Sequence, residues 1–156
     1  MTRGFTLIEM VVTVAIVGLL SSVAFPMAEL ASKRAREHEL HSALRTIRDA
    51  LDAHRRAVEE GRVIGSIDKS GYPASLQALV DGVPDAASPD HKAMIYFLRR
   101  IPRDPLCTDP LLPNDQTWGK RDYQSSAAEP HEGATVFDVY SRAPGIGLNG
   151  IAYRDW

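Results

Sequence analysis

The N-terminal run of this chain leaves few ways to fold. After Met1-Thr2-Arg3-Gly4 and Phe5-Thr6-Leu7-Ile8-Glu9, residues 10–28 form 19 consecutive uncharged, mostly apolar positions. About 20 such residues in a helix cross a bilayer. A helix that is apolar all round needs lipid or other helices on every side. Glu9 breaks the pattern near the start of the run. An acid at the centre of a span costs about 2.5–3.5 kcal/mol on insertion scales. Something must offset that cost, so the acid is a clue to function.

A cleaved secretory signal competes for the same residues. It needs a shorter apolar core followed by a small-residue cleavage site. Ser21-Ser22-Val23-Ala24 offers one. The length of the run and the acid at its start favour an anchor that is retained. Arg3 precedes the span, and Lys33, Arg34 and Arg36 follow it. By count these charges favour a cytoplasmic C-terminus, but long C-terminal domains translocate largely regardless of them.

The rest of the 156 residues suffices for one modest domain. Leu40, Leu44, Ile47, Leu51, His54 and Val58 step by four and three, the spacing of one helical face. Arg45, Arg48, Asp49, Asp52, Arg55 and Arg56 form the opposite, solvated face. One helix, bent near Pro26, is therefore predicted from about residue 5 to about residue 60. Gly61 is its stop. Loop follows over 61–73, then a short helix over 74–80 ended by Asp81-Gly82, then loop over 83–90. Met94-Ile95-Tyr96-Phe97-Leu98 reads as strand or helix. Residues 102–117 are proline-rich and irregular. Residues 118–124 and 135–140 have strand composition, and 144–156 is a glycine-punctuated loop. The order is α+β: a long N-terminal helix, half membrane and half amphipathic, packed on a small antiparallel sheet.

The opening residues resemble the type III signal of type IV pilins and type II secretion pseudopilins. The resemblance implies that a membrane prepilin peptidase cuts between Gly4 and Phe5 and that the new N-terminus on Phe5 is methylated. Glu9 stands where the family carries its glutamate. Pro26 stands where it often carries a helix-kinking proline. The C-terminal half narrows the likeness. Tyr72-Pro73 with Leu76-Gln77-Ala78-Leu79, Ile101-Pro102-Arg103-Asp104-Pro105, Trp118-Gly119-Lys120-Arg121-Asp122-Tyr123 and Phe137-Asp138-Val139-Tyr140-Ser141 resemble, in order, segments of the major pseudopilin. In the common version tryptophan follows the proline directly. Here 106–117 intervene, so the likeness is to a variant branch.

The resemblance implies a pilin-like fold. Residues 1–4 are a leader peptide, 5–28 a transmembrane and assembly helix, and 29–156 a periplasmic globular domain. It implies a single-pass inner-membrane protein with a cytoplasmic N-terminus. The chain then polymerises into a helical homo-oligomeric filament that drives protein export. Glu9 pairs with the Phe5 amine of a neighbour. The inner-membrane assembly platform and minor pseudopilins are further partners. The alternative is a minor or major subunit of a type IV pilus or DNA-uptake filament. Major pseudopilins carry calcium in the loop after the last strand, held by aspartates and backbone carbonyls. Here residues 142–154 contain no acid. Ser141 and Asp155, with Asn149, are the ligands left. Without a metal, the loop must be held by its own packing, with Ile151, Tyr153 and Trp156 as anchors.

Other chemistry finds little support. Net charge is −2, from 18 basic and 20 acidic residues, which does not suggest a nucleic-acid partner. Cys107 is the one cysteine, so no intramolecular disulfide forms. Gly145-Ile146-Gly147-Leu148-Asn149-Gly150 fits the dinucleotide glycine pattern, but only six residues follow it here, too few for the crossover helix such a site needs. Tight loop geometry is the better reading. His38 and His41 are spaced to share a metal but lack a third ligand. The basic pairs Arg55-Arg56 and Arg99-Arg100 read as solvated faces or salt-bridge partners, with a contact to neighbouring subunits as the functional alternative. No set of reactive side chains suggests an enzyme.

Overall fold

In a computed structural model the described residues are 4–64, 70–89 and 93–156. Leader residues 1–3, with Arg3, lie outside them. Helix α1 (Leu7–Glu59) is continuous through Pro26. The chain divides into two compact units, Met1–Arg36 and Glu37–Trp156. In the first unit the described apolar side chains are bare. Phe5 is 76% exposed, and Leu7, Val14, Leu19 and Phe25 are similarly open. This stretch is long and apolar enough to cross a membrane, and none of its apolar window is buried.

The second unit is built on the amphipathic part of α1. Leu40, Leu44, Ile47, Leu51 and His54 are buried as their spacing predicts, with Ala43, Ala50 and Ala57 beside them. Val58 is half-buried. Gly61 ends the helix at φ 71°. Around this face gather Tyr72, Leu76, Leu79, Leu98, Ile101, Trp118, Val136, Val139 and Tyr153. Helix α2 (Leu76–Asp81) is capped by the Ser75 hydroxyl, which accepts from the Ala78 N–H, and stops at Gly82.

Two antiparallel strand pairs complete the unit. Strand β1 (Val83–Pro84) pairs with β2 (Met94–Ile95), which resolves the ambiguous run at 94–98 as strand in its first two residues. Strand β3 (Trp118–Arg121) pairs with β4 (Asp138–Ser141) in the register Trp118↔Ser141 and Arg121↔Asp138. Both are shorter than composition predicts. The Asp122 carboxylate accepts the Thr135 N–H and hydroxyl at 3.1 and 2.8 Å, and its carbonyl accepts the Ser125 N–H. These turn bonds end β3 and delay the start of β4. Gly119 is dictated by packing: a Cβ there would lie 2.3 Å from ring carbons of Tyr140 opposite.

The irregular segment 102–117 is organised by side-chain donors. Arg103 donates to the carbonyls of Leu112 and Asp109, Asn114 to that of Ile101, and the buried Trp118 indole to that of Pro102. These bonds take the place of a backbone ladder. Cys107 is half-buried and free.

Candidate assembly site and the loop after the last strand

The first turn of α1 is closed by a reciprocal pair. Thr6 is the residue before the helix. Its N–H and its hydroxyl donate to Glu9 Oε2 at 2.9 and 2.7 Å, and its Oγ1 lies 3.4 Å from the Glu9 N–H. This is a capping box: the acid satisfies helix-end donors that would otherwise be orphaned. The macrodipole favours an acid at this end as well. Glu9 is therefore partly compensated within its own chain. Thr6 and Glu9 stand at the capping-box spacing, so the sequence itself carries the signal for this role. Gly4 and Phe5 precede the helix in non-helical chain. Pro26 lies inside α1, far along the same apolar stretch.

The loop after β4 departs from expectation. Ser141 is fully buried; its hydroxyl donates to Asp104 Oδ2 at 2.6 Å and accepts the Ala143 N–H. Asp155 is exposed and 3.4 Å from the neighbouring Arg154 guanidinium. Asn149 Oδ1 accepts the Ile151 N–H. Calcium takes six to eight oxygens about one centre, whereas these three side chains are engaged separately. Among the described residues no three His, Cys, Asp or Glu side chains converge on a metal-sized site. Ser141 and Asp155 do not fit a calcium ion.

Residues of α1 hold this loop instead. Glu37, 8% exposed, accepts the Tyr153 hydroxyl at 2.9 Å and the Leu148 N–H at 3.0 Å. Burial, and then the bond to Glu37, pushes the Tyr153 pKa above its ordinary value. Arg48, read as solvated, bridges to Asp138 at 2.8 Å and donates to the carbonyls of Val139 and Trp156. Of the expected anchors, Tyr153 is buried and Trp156 packs against it, while Ile151 stays 48% exposed. His41 stacks on Trp156 at 4.1 Å, and His38 is exposed. The glycine pattern serves loop geometry. Gly145 and Gly150 have positive φ, and a Cβ on Gly147 would strike the Trp156 ring at 2.3 Å.

Comparison with known proteins finds matches to the N-terminal motif and to most of the chain. The profile described as "Prokaryotic N-terminal methylation motif" matches residues 1–25. The type II secretion system core protein G of Pectobacterium carotovorum is 30% identical over 123 residues, 77% of this chain and 72% of the relative. This chain belongs to the type II secretion core protein G family, the major pseudopilins. The Klebsiella pneumoniae and Escherichia coli K12 pseudopilins of that name are 28% and 27% identical over 141 and 134 residues. They cover 88% and 84% of this chain and 83% and 85% of their own lengths. No solved structure matches the chain. The long helix and small antiparallel sheets are those expected of a pilin-like α+β pseudopilin.

Proposed function

We propose that this pseudopilin is a structural, non-enzymatic subunit of a type II secretion pseudopilus. Prepilin peptidase removes residues 1–4, and Phe5 is then methylated. The apolar part of α1, residues 5–28, stores the subunit in the inner membrane as a single span, with the N-terminus cytoplasmic and the domain periplasmic. Residues 29–156 make up the periplasmic part, and Glu37–Trp156 within it form a compact unit.

The observation that carries this reading is the bare apolar helix with one acid in its first turn, in a chain of the core protein G family. The positive amine of a neighbouring Phe5 offsets the burial of Glu9 when both leave lipid. Glu9 Oε2 accepts both Thr6 donors, and a carboxylate has acceptor capacity beyond two bonds. The neighbour's amine can therefore bind without breaking the cap. A head-to-tail contact that does not close builds a helical filament. The assembly platform and minor pseudopilins are the partners of that process, and export of folded proteins is its output.

Deleting the gene tests this reading. Loss of exoproteins from the culture medium, with twitching and DNA uptake intact, is expected. Loss of twitching or transformation with secretion intact assigns the chain to a type IV pilus or DNA-uptake filament instead.

A further inference from the structure

What faces the buried Glu37 is a set of hydrogen-bond donors. The Tyr153 hydroxyl and the Leu148 N–H both reach Oε1. Farther along α1, Arg48 donates to the Trp156 carbonyl at 2.7 Å, and between them His41 stacks on the Trp156 ring. Steps of four and seven place 37, 41 and 48 on one helical face. The helix thus grips the segment at two separate points.

A calcium loop needs the opposite polarity, with oxygens turned toward a common cation. Here an acid receives donors from the loop, and a cation from the helix takes a loop carbonyl. The charged side chains within 142–154 are Arg142 and Arg154, which repel a dication.

We infer that Glu37 and Arg48 lock the loop after β4 without a divalent cation, with Glu37 as the positioning residue that does the work a metal does elsewhere. The lock is independent of whether the chain polymerises.

Hydrogen–deuterium exchange on the full-length chain in detergent micelles tests it. Peptides covering 144–156 should exchange equally in millimolar calcium chloride and in chelator. Glu37→Ala should speed exchange at Leu148 by about tenfold. Glu37→Gln keeps an acceptor oxygen and should restore most of the protection. Peptides over β3 report whether each variant is folded. Slower loop exchange in calcium for the wild-type chain overturns the inference, as does unchanged exchange in a folded Glu37→Ala chain. If Glu37→Ala unfolds, two readings remain decisive. Calcium-independent wild-type exchange together with near-wild-type protection in Glu37→Gln supports the lock, and calcium-slowed exchange overturns it.

Discussion

Tyr153 donates its phenolic proton to Glu37 across 2.9 Å, joining residues 116 apart in the chain. Removing it with Tyr153→Phe should cost about 1.5–3 kcal/mol, the range for bonds to charged groups. Urea unfolding followed by tryptophan fluorescence measures it. The pH dependence has a definite sign. The folded-state pKa is raised, so this contribution is complete below the unfolded value of about 10 and is lost as pH rises through the folded value. Wild type should lose stability in alkali faster than Tyr153→Phe. Parallel curves for the two would contradict the assignment.

His54 gives the acid limb. It is 4% exposed, and Nδ1 lies 2.9 Å from the Gly71 carbonyl, so that nitrogen carries the proton. Burial lowers its pKa, against the opposing pull of the Gly71 carbonyl. A lowered folded value gives stability that is present above about pH 6.5 and lost as pH falls through the folded pKa. The domain should melt lower at pH 5 than at pH 7. His54→Leu should flatten that difference, and a slope unchanged by the substitution would rule His54 out as its source.

The leader and the helical face were legible because both are local patterns. The face from Leu40 to His54 is written in steps of four and three, and Gly61 and Gly82 mark the helix ends where they were expected. Glu37 and Arg48 were not legible. Each sits among charged neighbours on a helix and reads as solvated. Their roles depend on Leu148, Tyr153 and Trp156, about a hundred residues away. Strands β1 and β2 are too short, and β1 contains Pro84, so periodicity could not find them. The calcium expectation came from the family, and it is the loop's own hydrogen bonds that disfavour it.

Ser141 tests that last point separately. Its hydroxyl serves Asp104 and the Ala143 N–H at once. Ser141→Ala leaves a buried carboxylate short of a donor and an amide without its acceptor. The expected loss is about 1–3 kcal/mol, equal with and without calcium. A thermal melt in both conditions measures it. A change within about 0.5 kcal/mol would place Ser141 with ordinary surface substitutions.

Glu9 carries the central claim: in the proposed assembly its carboxylate serves both the Thr6 cap and the neighbour's amine. The direct measurement is filament recovery by shearing, with exoprotein secretion scored in parallel, from cells carrying Glu9→Ala in place of the wild-type gene. Loss of both, with the variant still cleaved after Gly4 and held in the membrane, is the predicted result. Normal filaments and normal secretion from that strain would contradict the proposed mechanism.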